Sequence, residues 1–167
     1  KLGNGFQTVL GGSERYESVM NALNYLRKHG KADDWVMVHD IARPCVRQED
    51  INKLLQACTR ANKGGVLAKP ISDTVKKLQQ QRVSTEDRTQ LWLALTPQCF
   101  RLGELATALE MAIQQNLSVT DEASAIEAAN IPIQLVPGHA DNIKLTQAED
   151  AELVQFYLNK QERTEHV

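Results

Sequence analysis

The feature that most narrows the fold of this chain is the apolar run Trp35-Val36-Met37-Val38, which breaks off into His39-Asp40-Ile41-Ala42-Arg43-Pro44. An unbroken run this short reads as a buried strand, and the Pro that follows bars its continuation. Asp40 and Arg43 are thereby delivered to the rim of a sheet, where a nucleotide could be handled.

The segments around it alternate in period. Phe6 to Leu10 is a short apolar run followed by Gly11-Gly12-Ser13, and Val19, Leu23 and Leu26 then fall at i, i+4 and i+7. That spacing predicts a helix capped by Ser13, with Glu14 in its first turn and Gly30 after its end, so the opening unit reads strand, glycine turn, helix. Ile51, Leu54, Leu55 and Cys58 mark a second helix closing near Gly64, and Gly65 to Lys69 a third strand stopped by Pro70. Leu91 to Leu95 predicts a strand ending at Thr96-Pro97-Gln98, and Leu102, Leu105, Leu109 and Ile113 give the next helix its stripe. A short helix capped by Thr120 and a strand from Ile133 to Val136 follow, then a late strand, Asp141 to Leu145. Thr146 and Glu149 read as the capping box of a last helix, Gln147 to about Lys160. Strands alternating with helices argue for an α/β fold with a mainly parallel sheet, whose sites lie beyond the carboxyl ends of the strands.

One segment breaks the rhythm. Between residues 71 and 90, Thr74 to Leu78 and Arg82-Val83 flank Gln79-Gln80-Gln81, with too few apolar residues to join a core. This reads as a projecting β-arm. An isolated two-stranded ribbon is marginal in water, so the arm is expected to pack against a second subunit.

At 167 residues a single domain is expected over residues 1–160, with 161–167 a flexible tail. A formal net charge of -2 gives no electrostatic reason to expect nucleic acid or a membrane surface as partner. Cys45, Cys58 and Cys99 cannot all pair and form no CxxC, so reduced structural thiols and a cytoplasmic location are the default. No apolar run approaches the ~20 residues of a membrane span. Neither Cys45 nor Cys99 has an activating His evident in the sequence, and the His residues (His29, His39, His139, His166) show no triad or metal spacing, so no protein-bound metal is expected.

Several residues invite two readings. Gly11 to Arg15, with Ser18, offers free backbone N–H groups to a base or phosphate, or is a plain tight turn with a helix cap. Asp40 and Arg43 form a local ion pair that fixes the loop, or present a carboxylate that accepts ligand hydroxyls or helps order a metal-nucleotide, with a planar guanidinium that pairs with phosphate or braces the loop. Thr74, Arg88, Thr96, Thr120 and Lys144 are each ordinary surface or cap residues taken singly; gathered on one face they would suit a phosphorylated substrate.

Taken together, Gly11 to Ser18, Val38 to Pro44, Asp73-Thr74-Val75-Lys76, Leu95-Thr96-Pro97-Gln98, Thr120 to Ser124 and Asp141-Asn142-Ile143-Lys144 resemble the 2-C-methyl-D-erythritol 4-phosphate cytidylyltransferase family of bacterial isoprenoid synthesis. The resemblance runs from about residue 7 to residue 158. It implies a Rossmann-like nucleotidyltransferase fold and a homodimer joined through the arms. The implied reaction joins CTP to methylerythritol phosphate and releases pyrophosphate, with magnesium carried on the triphosphate.

Carried over by position, the resemblance places Gly12, Ser13, Ser18 and the backbone at Ile41 on the cytidine side. Ser13 stands where many family members have Asp, so its contact would be uncharged. Asp40, Arg43, Thr74, Thr96 and Thr120 fall around the acceptor, and Arg88 and Lys144 on the acceptor phosphate, Arg88 reaching across the dimer. The resemblance also implies a glycine-rich loop with an Arg and a Lys that cradles the triphosphate, preceding the first residue here. The N-terminal part is therefore expected to be missing and the chain inactive alone. No fused second enzyme is expected, because the sequence stops just after its last helix. Two alternatives stand beside this expectation: a sister nucleotidyltransferase for another polyol or sugar phosphate such as ribitol 5-phosphate, and a non-catalytic dimerising fragment.

Overall fold

The computed structural model describes residues 5–165, which form two compact units. One comprises the residues up to Val38 together with Cys99–Ile133; the other comprises His39–Gln98 and the residues from Gln134 onward. In chain order the elements are α1 (Arg15–Arg27), β1 (Trp35–Val38), α2 (Gln48–Ala61), β2 (Gly65–Pro70), β3 (Val75–Gln79), β4 (Arg82–Glu86), β5 (Trp92–Arg101), α3 (Leu102–Gln114), α4 (Glu122–Ala128), β6 (Gln134–Pro137) and α5 (Asp150–Glu165). The principal sheet has the order β1-β5-β2-β6, and β3 and β4 make a separate ribbon.

In the first unit α3 is the central helix. Leu102, Leu105, Ala106, Leu109 and Ala112 lie on one buried stripe, against which α1 and α4 pack. Burying a leucine of this kind stabilises a fold by about 1.5–3 kcal/mol. Met20 and Leu23 are the buried residues of α1, whereas Leu26 and Ile113 are partly exposed. The stripe of small and branched residues lets the helices approach closely, and Arg27 pairs with Glu110 at 2.5 Å along the seam.

In the second unit β2 and β6 are parallel, with Gly65 opposite Gln134 and Ala68 opposite Pro137. Leu54 and Cys58 of α2 come down on β2 at Gly65. A Cβ there would lie 2.8 Å from the Cys58 sulfur and 3.2 Å from a Leu54 methyl, so only glycine permits the approach. Asn62, not Gly64, takes the left-handed position that ends α2, at φ 46°. The arm is an antiparallel hairpin with Leu78 opposite Val83. Gln80 and Gln81 both have positive φ, the turn geometry that matches the twist of the strands.

Several expectations are corrected. Phe6 to Leu10 joins no ladder and its apolar side chains face out, Leu10 at 88% exposure; hydrophobicity without a paired neighbour does not make a strand. β1 is half-buried throughout, because among the described residues it has a strand neighbour on one side only. β5 runs on through Thr96 and Pro97 to Arg101, since Leu95 to Phe100 are all buried and packing outweighs the local signal of a proline. Asp141 to Leu145 is a loop, held by the tight Ile143 N–H to Asp141 carbonyl bond of 2.7 Å. Thr146 caps through Asp150 rather than Glu149, so α5 starts at Asp150 and continues past Lys160 to Glu165. Of the expected tail, residues 166 and 167, including His166, lie outside the described residues. Among the described residues no helix is long and apolar enough to cross a membrane.

Candidate active site

The rim predicted at residues 39–44 is a hydrogen-bonded turn in the second unit. The Arg43 N–H donates to the Asp40 carbonyl at 2.9 Å, and the two ends are bridged by His39. The His39 Nε2 lies 3.0 Å from the Arg43 carbonyl, which can only accept, so Nε2 carries the proton. Nδ1 then accepts from the Thr96 hydroxyl at 2.9 Å, and that hydroxyl accepts the Asp40 N–H at 3.1 Å. Thr96 is brought to this position by the continuation of β5 through residue 96, and it is buried.

The loop after β6 completes the cluster. The Asn142 side-chain amide donates to the Thr96 carbonyl at 2.8 Å, and the Asn142 carbonyl accepts from the Arg43 guanidinium at 2.9 Å. The Leu145 N–H bonds the Ala42 carbonyl at 2.7 Å. Lys144 is thereby set beside the Asp40 carboxylate, with 3.1 Å between Nζ and Oδ2. Burial draws the Arg43 guanidinium below its ordinary pKa, opposed by the charge of Asp40; a guanidinium stays protonated regardless. The Arg43 Nε and the Asn142 Oδ1 are buried with no protein partner. Asp40, Arg43, Thr96 and Lys144 thus come together, whereas Ile41 points its side chain out at 97% exposure. His39 and Asn142 are the rim residues that sequence reasoning missed, although both sit inside the quoted blocks.

Arg88 and Thr74 lie at the base of the arm. Arg88 occupies a single 3-10 turn capped by Asp87, and its guanidinium donates to the Ser72 carbonyl of its own chain. Thr74 is exposed.

In the first unit, Gly12, Ser13 and Ser18 form one turn at the start of α1. The expected free N–H groups are not free: Gly12 donates to the Ser18 hydroxyl at 2.9 Å, and Ser13 and Glu14 donate to one oxygen of Glu17 at 2.8 and 3.2 Å. The Ser13 hydroxyl adds a 2.6 Å bond to the same oxygen. A carboxylate from within the helix has taken the anion position, and these bonds, that from the Ser13 side chain foremost, hold Glu17 below its ordinary pKa. A Cβ on Gly12 would fall 2.2 Å from that of Glu17, so glycine is required there by packing. Ser13 does not cap α1; Glu14 holds the N-cap position.

Thr120 also lies in this unit, exposed, and Asp121 rather than Thr120 caps α4, accepting from the Ser124 N–H at 2.9 Å. The following Glu122 is 1% exposed and takes a two-pronged ion pair from Arg15, at 2.6 and 3.0 Å. The turn is thereby fastened to α4. All three cysteines are buried free thiols, and burial, then the charge of Asp141, pushes the Cys45 thiol up, as suits a structural residue.

Residues 2–160 match the family profile described as 2-C-methyl-D-erythritol 4-phosphate cytidylyltransferase. A curated relative of that name from Aliivibrio fischeri is 48% identical over 157 residues, covering 93% of this chain and 66% of its own length. The chain thus spans just under two thirds of that relative. Among solved structures, the Francisella tularensis 2-C-methyl-D-erythritol 4-phosphate cytidylyltransferase superposes with a TM-score of 0.81 at 41% identity, over 88% of this chain and 69% of that one. The 4-diphosphocytidyl-2C-methyl-D-erythritol synthase of Anaerococcus prevotii gives a TM-score of 0.84 at 28% identity, covering 95% and 73%. The fold is that of these α/β nucleotidyltransferases, with its projecting β-arm, and by sequence over nearly all its length this chain belongs to the 2-C-methyl-D-erythritol 4-phosphate cytidylyltransferase family.

Proposed function

We propose that the chain is the larger part of an enzyme that transfers CMP from CTP to 2-C-methyl-D-erythritol 4-phosphate, giving 4-diphosphocytidyl-2-C-methyl-D-erythritol and pyrophosphate. The observation that carries the reading is the Lys144–Asp40 pair at 3.1 Å, in a rim braced by Arg43 and Thr96. A phosphorylated polyol can serve both members of the pair: its hydroxyls donate to the Asp40 carboxylate and its phosphate accepts from the Lys144 ammonium. An acceptor phosphate oxygen bonds to the α-phosphorus of CTP as the bond to the β-phosphate oxygen breaks. The attacking oxygen is already ionised, so the protein's task is to hold two polyanions together, and no nucleophilic side chain is called for.

On this reading Lys144 binds the acceptor phosphate and Asp40 the polyol. Arg43 and Thr96 act on the acceptor by bracing the turn between them. Gly12, Ser13, Ser18 and the Ile41 backbone serve the cytidine, and Thr74 and Thr120 the acceptor and product. Arg88 is contributed across a homodimer joined by the arms, whose exposed Leu78 and Val83 supply an apolar contact. Among the described residues no group of three or more His, Cys, Asp or Glu could hold a metal ion, and Asp40 is paired with Lys144. Following the family resemblance, magnesium is assigned to the CTP phosphates, where it would offset the charge of the triphosphate. The enzyme is read as cytoplasmic.

On this reading the triphosphate is gripped by a glycine-rich loop with Arg and Lys of the kind the family resemblance implies. Pyrophosphate release with CTP and methylerythritol phosphate, measured for the 167 residues and for a form carrying such a loop, tests the proposal. Activity is expected only in the second; release with ribitol 5-phosphate alone would replace the acceptor, and release with neither would leave a dimerising module.

A further inference from the structure

Arg47 breaks a local rule. It occupies the N-cap of α2, makes no side-chain cap, and sets a positive charge at the positive end of a helix. A residue that fits its own helix so poorly is explained by what it touches elsewhere. Its guanidinium grips Asp141, with Nε 3.0 Å and the terminal nitrogen 2.6 Å from the same carboxylate oxygen. Asp141 is buried, and although burial works to raise its pKa, the bonds from Arg47 and Gln161 outweigh it and hold the carboxyl below its ordinary value.

A second tie lies beside the first. The carboxylate of Asp50, 1% exposed in the first turn of α2, accepts the His139 backbone N–H and Nδ1–H, each at 2.9 Å. Residues 139 and 141 are therefore fixed to α2, while 142 and 144 of the same loop bond Thr96, Arg43 and Asp40 in the rim. We infer that Arg47, through Asp141, is a positioning residue that sets Lys144 for the acceptor phosphate, with the Asp50–His139 bond as a parallel anchor. This rests on the role proposed for Lys144.

The test is a set of variants in a form of the protein active with CTP and methylerythritol phosphate. Arg47→Ala is expected to lower kcat by ~10-fold or more with the KM for CTP little changed, and Arg47→Lys to restore part of the loss, as for a lost orienting contact. In a Lys144→Ala background, Arg47→Ala is expected to cost nothing further, because there is no longer a lysine to place. A folding defect would instead add its loss in both backgrounds, and amide exchange outside residues 139–145 would rise with it. Unchanged kcat in Arg47→Ala, or an equal loss in both backgrounds, overturns the inference while Lys144→Ala is slow. Normal turnover of Lys144→Ala defeats the role of the lysine and this inference with it. Asp141→Asn serves as the second variant should Arg47→Ala fail to fold; a kcat matching the parent's there is equally fatal.

Discussion

The turn at residues 39–44 and the turn at residues 11–18 each stand beside a helix and each carry candidate ligand groups, but they are held in opposite ways. The first is tied to distant parts of the sequence: His39 to Thr96, Arg43 to Asn142, Asp40 to Lys144. The second is closed almost wholly on itself, by Glu17 and Ser18, and reaches further through Asn21 on the Leu10 carbonyl and through Arg15 on Glu122. Long-range bonds fix a geometry against the rest of the unit, whereas local bonds fix only the shape of the turn. The first arrangement suits charges that must be placed to within fractions of an ångström; the second keeps a turn in shape with its own N–H groups already engaged.

This contrast can be broken, and the largest effect should come at the first turn. Lys144→Ala in an active form is expected to reduce kcat by roughly 100-fold or more, as for the loss of one charge-stabilising donor, measured by steady-state pyrophosphate release. Next comes the one strong tie of the second turn. Arg15→Ala strands the buried Glu122 carboxylate and is expected to destabilise the first unit by about 2 kcal/mol, the partial exposure of Arg15 keeping the loss below that of a fully buried pair. Urea denaturation would measure it, and an unchanged midpoint would mean the turn is held by its local bonds alone.

A smaller effect is readable through pH. Asp141 has its pKa lowered on folding from an ordinary value of 3.8, so the native state binds that proton less readily than the unfolded chain. Its contribution is complete above about pH 5 and is lost as pH falls through 3.8 toward the folded value. Asp141→Asn should therefore differ most from the parent near neutrality and converge with it in acid, by urea midpoints across pH 3 to 7. The smallest effect is expected away from both turns: Leu78→Ser with Val83→Ser should change the stability of the isolated chain by less than about 0.5 kcal/mol while weakening self-association in sedimentation.

The two turns also differ in how legible they were. Asp40, Arg43 and Lys144 announce themselves as charges at strand ends or in short polar blocks, and period places the helices and the strands at residues 35–38, 65–70 and 134–137, whereas Phe6 to Leu10 and Asp141 to Leu145 form no strand despite their apolar residues. The helix starts differ from expectation because capping depends on which carboxylate reaches the free N–H groups: Glu17, Asp121 and Asp150 do so, in place of Ser13, Thr120 and Glu149. Thr96 was read as a strand end because proline is a local signal, while the burial of Leu95 to Phe100 that carries β5 onward is a tertiary one. Arg47 could not be noticed from the sequence, since an arginine there looks like any surface residue until Asp141, far along the chain, is folded against it.

The Lys144–Asp40 pair has a further consequence for selectivity. An anion drawn to Lys144 approaches the Asp40 carboxylate, 3.1 Å from the same ammonium, so a bare phosphate meets a like charge there. A ligand that carries hydroxyls and phosphate on one small frame satisfies both at once. On the proposed reading, the pair would disfavour inorganic phosphate and pyrophosphate against an acceptor that brings hydroxyls to Asp40.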